Sequence, residues 1–333
     1  MGVRAVALCG YRQVVPDEPR YPRRSTASAR RLLRVGVQLP EVERSVGWPE
    51  LADMARRAEN VGLDSIWVGD HLLYRFDDGS TRGPWESWTL LAALAAVTSR
   101  VTLGPLVAAT AFRSPFLLAK QASTLDEVSD GRFVLALGAG WNPVEFAALG
   151  APFDHRIARF EEAFTIVRSL LRDGSVDFVG QYCSAREAEL VPRGPTPGGP
   201  PLMIGSIGPR MLAATVPHVD AWNAWYADTG NSPEGAVRAG TSLDTALAAA
   251  GRSHDEVART VAVLVQLPGG TGRTMGDTDP SQQVPPLAGA PEAIAAGLRA
   301  YADAGITEVQ LVLDPITAES IEALAPVLAL LDS

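Results

Sequence analysis

The 333-residue chain has two cysteines, Cys9 and Cys183, four histidines and a single lysine, Lys120. Two cysteines so far apart, with no ligand spacing between them, exclude a disulfide framework and a zinc module, and make a reducing cytoplasm the expected compartment. No apolar run reaches the ~20 residues needed to cross a bilayer, because Pro, Gly or charge interrupts each one. Beyond the start of the chain, positive charge is also outnumbered. Residues 1–34 hold eight Arg against Asp17 and Glu18, a balance of +6; the whole chain carries −9, so the remainder carries −15. A body of that charge is not built for nucleic acid. The lone lysine reflects GC-rich codon use and carries no mechanism. The basic segment contains Arg23-Arg24 but no apolar stretch after it, which fits a signal peptide poorly. Its composition predicts a disordered extension over 1–34, of the kind an upstream start codon adds.

What is present is a chain 47% apolar, enough for a large core. The run Ser65-Ile66-Trp67-Val68-Gly69-Asp70-His71 reads as a buried strand that ends in an acid and an imidazole. Before it lie a strand over 35–40 and a helix opened by Pro49, with apolar residues at helical spacing and Gly62 as its stop. Connections too long for hairpins imply parallel pairing. The unit recurs: strands over 101–107, 133–137, 202–204, 219–223, 261–267 and 309–313 alternate with helices over 115–128, 160–171, 235–250, 291–304 and 318–330. About eight strands over 300 residues predict an α/β fold, one (β/α)8 TIM barrel over 35–333. A doubly wound sheet is the rival, but no GxGxxG follows the first strand. Residues 176–200, rich in Pro and Gly, read as an insertion, and 268–289 as a polar lid loop.

In such a barrel the residues just after each strand share one face. Here they are Gln38, Asp70 and His71, Val107 to Ala109, Gly138 to Asn142, Gly205 to Gly208, and Trp222-Asn223. The set has few charges and much glycine, without the acid pairs of a glycosidase or the ligand clusters of a metal site. It suits a planar, phosphorylated cofactor that carries the chemistry itself. Gly205-Ser206-Ile207-Gly208-Pro209 is a candidate phosphate seat, with an ordinary Gly-Pro turn as the alternative. His71 is a candidate proton donor or acceptor, with local hydrogen bonding as the bland reading. Trp85 and Trp88 could wall a pocket or pack in the core, with packing the preferred reading, and His155, His218 and His254 read as surface or helix-end residues.

Taken together, Trp67-Val68-Gly69-Asp70-His71, Trp88-Thr89-Leu90-Leu91-Ala92-Ala93-Leu94-Ala95, Leu103-Gly104-Pro105-Leu106-Val107, Phe112-Arg113-Ser114-Pro115, Ser129-Asp130-Gly131-Arg132-Phe133, Leu137-Gly138-Ala139-Gly140-Trp141-Asn142 and Asp220-Ala221-Trp222-Asn223 resemble the luciferase-like family of flavin-type oxidoreductases. The resemblance implies a TIM barrel that binds the deazaflavin coenzyme F420, or alternatively FMN, at its C-terminal face. It implies a proton-handling His71 beside the ring and a non-prolyl cis bond at Leu106–Val107. Cofactor contacts are implied at Asp70, Leu106, Val107, Ala109, Gly138, Gly140, Trp141, and Gly205, Ser206, Ile207 and Gly208. One departure stands out: sugar-phosphate dehydrogenases of the family carry Glu where this chain has Trp141, which argues against that substrate class. The implied activity is F420-dependent hydride transfer to or from a small organic substrate. The alternatives are an FMN-dependent monooxygenase and, as a third reading, a non-catalytic flavin-binding barrel. Expected partners are a small-molecule substrate, with no nucleic acid and no membrane; a homodimer is left open.

Overall fold

The computed structural model describes residues 20–273 and 284–333. Eight of the ten strands of the main sheet make the barrel wall: β1 (Arg34–Gln38), β2 (Ser65–Val68), β3 (Thr102–Pro105), β4 (Leu135–Gly138), β5 (Leu202–Gly205), β6 (Ala221–Ala224), β7 (Ala258–Gln266) and β8 (Glu308–Asp314). All pair in parallel, in the order β3-β2-β1-β8-β7-β6-β5-β4. First meets last, with Val35 opposite Val309 and Val37 opposite Leu311. The seam between β3 and β4 is bridged at Leu103–Phe133 and by Ala108–Ala109 pairing with Leu137 and Gly138. This is the expected α/β barrel.

Alternation along the strands makes two cores. Ile66, Leu135, Leu137, Val261 and Leu311 point out to the helices, while Trp67, Val134, Ala136, Met203, Ala221 and Ala262 fill the interior. Trp67 fits because both flanking strands carry glycine beside it. A Cβ on Gly104 would stand 2.6 Å from the Trp67 ring, and one on Gly36 would stand 2.0 Å from Ser65 Oγ.

The helices follow their sequence signals. α1 (Trp48–Val61) opens with proline and stops at Gly62, whose φ of 96° only glycine adopts freely. α2 (Ser87–Val97), α3 (Pro115–Val128), α4 (Pro143–Leu149), α5 (Arg156–Asp173), α6 (Pro209–Thr215), α7 (Pro233–Ala250) and α8 (Pro291–Asp303) continue the pattern. The helix expected over 318–330 is two pieces, α9 (Ala318–Glu322) and α10 (Ala325–Leu331), because Pro326 starts a new helix instead of continuing the old one. Over 175–189 the chain forms a separate two-stranded sheet, in which Ser175–Val179 pairs antiparallel with Ser184–Glu189. Among the described residues no helix is long and apolar enough to cross a membrane.

The expected disordered extension over 1–34 is corrected from Arg20 onward. Residues 20–34 run under the barrel as a strap. Tyr21 is 1% exposed within the interior core, and its hydroxyl donates to Glu308 at 3.1 Å. Arg34 Nε bonds the same carboxylate at 2.8 Å, and Arg31 pairs with Asp64 at 3.1 Å. Asp64 also accepts from Ser25 Oγ and Thr26 N–H, both at 2.8 Å. Burial pushes the Asp64 carboxyl up, but Arg34 and Arg31 outweigh it and hold it below the usual range. Composition misled here because it counts arginine as solvating, whereas Arg31 and Arg34 find buried carboxylates of matching geometry. Residues 1–19 lie outside the described residues.

Of the lid expected over 268–289, residues 274–283 lie outside the described residues. Gly269 to Arg273 leave β7 on one side, and on the other Leu287–Ala288 pairs beside it.

Candidate active site

A cavity of about 680 Å³ opens at the C-terminal ends of the strands. Most of the anticipated residues meet there: Asp70, His71, Leu106, Val107, Ala109, Gly138, Gly140, Trp141, Gly205 and Ser206 all line it. Ile207 and Gly208 do not. Ser206 Oγ accepts the Gly208 N–H at 3.1 Å, and the turn carries Ile207 outward to 38% exposure. Of the candidate phosphate seat, Gly205 and Ser206 face the cavity and Ile207 and Gly208 do not.

Asp70 plays a structural part. Both carboxylate oxygens are taken by Arg113, at 2.7 and 2.9 Å, and further bonds come from Ser87 Oγ and the Ala109 N–H at 2.9 Å. Asp70 lines the cavity and, through the Ala109 N–H, also fixes the segment 106–109. In that segment the Leu106–Val107 peptide is cis, as anticipated. Val107 is seated between two glycines, since a Cβ on Gly138 or Gly205 would stand 2.8 Å from its methyl groups. The result is a smooth apolar wall facing the cavity.

His71 lines the same cavity and is held from two sides. Its Nδ1 lies 2.9 Å from Glu145 Oε2, and Glu145's other oxygen takes the Leu72 N–H. A carboxylate only accepts, so Nδ1 carries the proton and Nε2 is the free position. Nε2 lies 3.8 Å from Glu41 Oε1. The ring packs against Tyr74 at 4.8 Å and edge-on to Trp141 at 5.5 Å between centroids. Burial works to lower the His71 pKa, but the Glu145 hydrogen bond and the charges of Glu41, Glu145 and Asp70 prevail and raise it.

Three residues of this arrangement were not anticipated: Glu41, Glu145 and Arg273. Glu41 is 4% exposed and accepts from Tyr74 OH at 2.7 Å and Gln38 Nε2 at 2.8 Å. Arg273 bonds Glu41 at 3.3 Å and Glu43 at 2.5 Å, with its guanidinium 5.5 Å over the Trp225 ring. Burial alone would lower the Arg273 pKa, yet Glu43, Tyr226 and Glu41 raise it, so it stays a cation. The expectation of a face poor in charge is thus corrected: besides Asp70 and Asp314 at or near strand ends, acids enter from the loop after β1 and from the first turn of α4. Asn142 sets that turn by accepting the Val144 N–H, which brings Glu145 inward. The two tryptophans divide: Trp88 is core, whereas Trp85 is 65% exposed with its Nε1 on the Val46 carbonyl.

Residues 33–268 match the luciferase-like monooxygenase family, and the chain belongs to it. Over 184 residues it is 34% identical to an F420-dependent glucose-6-phosphate dehydrogenase of Amycolatopsis mediterranei, covering 54% of this chain and 53% of the relative. It is 39% identical over 113 residues to the pyrimidine monooxygenase RutA of Methylorubrum populi, covering 32% and 30%. The chain thus spans about half, or less, of the length of these curated relatives. A solved F420-dependent secondary alcohol dehydrogenase in complex with an F420–acetone adduct superimposes with a TM-score of 0.76 at 19% identity, over 90% of this chain and 99% of that one. At that identity the likeness is one of fold.

Proposed function

We propose that this protein is an F420-dependent oxidoreductase in which His71 handles the proton that accompanies hydride transfer. The observation that carries the reading is the His71–Glu145 pair lining the same cavity as Val107. The residues present fit the cofactor: the wall is flat because Gly138 and Gly205 flank Val107, and Gly205 and Ser206 offer backbone and hydroxyl groups to a phosphate. Leu106, Val107, Ala109, Gly138 and Gly140 would hold the ring, with Trp141 at its rim. The deazaflavin would supply hydride chemistry. His71, protonated at Nδ1 toward Glu145, is placed to take up or release the matching proton at Nε2. Trp141, with no acid at that position, argues against a sugar phosphate and leaves an alcohol, a carbonyl or an activated double bond as substrate.

The RutA match favours a second reading, an FMN-dependent monooxygenase. One titration separates them. Trp141 and Trp225 line the cavity, so a ring bound there quenches their emission. Adding coenzyme F420 is expected to quench tryptophan fluorescence saturably, and FMN to do so far more weakly. Quenching by FMN alone makes the monooxygenase the better reading, and quenching by neither removes both.

A further inference from the structure

Among the described residues, Glu41 is the one cavity carboxylate that touches both His71 and Arg273. Oε1 faces His71 Nε2 at 3.8 Å and receives the Tyr74 hydroxyl; Oε2 receives Gln38 Nε2 and Arg273. Tyr74 and Gln38 are neutral donors, so Arg273 is the cation that directly balances this buried charge among the described residues. The other charged and titratable groups around His71 are accounted for. Glu145 holds Nδ1 from α4, Asp70 on its own segment is neutralised by Arg113, Glu43 shares Arg273, and burial first, then Glu41, keeps Tyr74 protonated far above neutrality.

We propose that Arg273 is a positioning residue that controls, through Glu41, how tightly His71 holds its proton at Nε2. With Arg273 in place, Glu41 is drawn toward the guanidinium and its field at the imidazole is reduced. Without that cation, a carboxylate 4% exposed has no charge partner except His71, and the imidazolium form gains. Arg273, just beyond β7, thereby sets the acid strength of His71 through the carboxylate between them. The proposal rests on the proton-handling reading of His71 for its consequence, but its test needs no cofactor, so the two can fail separately.

The experiment is an NMR pH titration of the His71 ring in the full chain, with the resonance assigned by its loss in His71→Gln. Arg273→Gln is expected to raise the His71 midpoint by about one pH unit, and Glu41→Gln to lower it. Arg273→Lys, which keeps the charge, is expected to stay near the wild-type midpoint. In the double variant Glu41→Gln/Arg273→Gln, the effect of losing Arg273 is expected to shrink to less than half. An unmoved midpoint in Arg273→Gln overturns the proposal. So does a shift of the same size with and without Glu41, because Arg273 then acts on His71 directly. If Arg273→Gln does not fold, Glu41→Gln still decides: a midpoint that does not fall shows that Glu41 exerts no field on the imidazole.

Discussion

Replacing His71 with Gln is expected to lower turnover by ~10²–10⁴, the range for losing a positioned acid–base group, with little change in cofactor affinity. The side-chain amide of Gln can still donate to Glu145, so the neighbouring carboxylate keeps a partner and the cavity keeps its shape. What disappears is the proton at Nε2. The cofactor contacts lie elsewhere, on the Val107 wall and at Gly205 and Ser206. The pH profile adds a sign. Because His71 is raised above the ordinary imidazole value, its acid form persists to higher pH than a free histidine, and the limb of kcat that reports it should lie on the alkaline side of ~6.5. That limb should vanish in His71→Gln. Steady-state kinetics with a fluorescence Kd decide the matter. Loss of cofactor with turnover intact at saturation makes His71 a binding residue instead.

Deleting residues 1–33 is expected to destabilise the protein severely. The deletion removes Tyr21 from the barrel interior, where loss of a buried aromatic costs about 3–5 kcal/mol. It also takes Arg31 from Asp64, and breaking a buried ion pair from one side costs a similar ~3–5 kcal/mol. Partial relief comes from Arg34, which remains 3.9 Å from Asp64. A net loss of ~5 kcal/mol lowers Tm by roughly 10 °C or more in a domain of this size. Differential scanning calorimetry of the deletion and of Tyr21→Ala tests this; an unchanged Tm in both shows that the strap is held without stabilising anything. The acid side of the stability curve follows from the same contact. Asp64 is depressed in the folded state, so its contribution is complete above the unfolded carboxylate value near ~3.9 and is lost as pH falls through the lower folded value.

How much was legible depended on where a residue sits relative to a strand end. His71 was found because it ends an apolar run, and barrel topology sends such residues to one face. Val107, Gly138 and Gly205 were found the same way, and the structure explains their types: two glycines make room for one valine. Glu145 and Glu41 escaped because they lie seven and three residues beyond their strands. The signal for Glu145 was available in Asn142-Pro143, a helix start that brings the next acid into the first turn. Glu41 sits between Pro40 and Val42 with no periodicity around it, and Arg273 follows a glycine-rich stretch that reads as solvent-exposed. The strap was misjudged for a related reason. A count of charges records arginines but not the carboxylates that await them, and Glu308 stands 274 residues from Arg34.

That separation bears on how the chain comes off the ribosome. Arg34 and Ser65 are made early, yet the carboxylate that satisfies both, Glu308, is on the last barrel strand. At ~5–20 residues per second, roughly 15–55 s of synthesis pass before it exists. During that interval the floor of the barrel offers Arg34 only Asp64, 3.9 Å away and shared with Arg31, so closing it early buries the guanidinium without its nearest carboxylate. The same contact that locks the finished molecule thereby delays its assembly until the final strand is available. Nascent chains halted before Glu308 are the species that holding chaperones should capture.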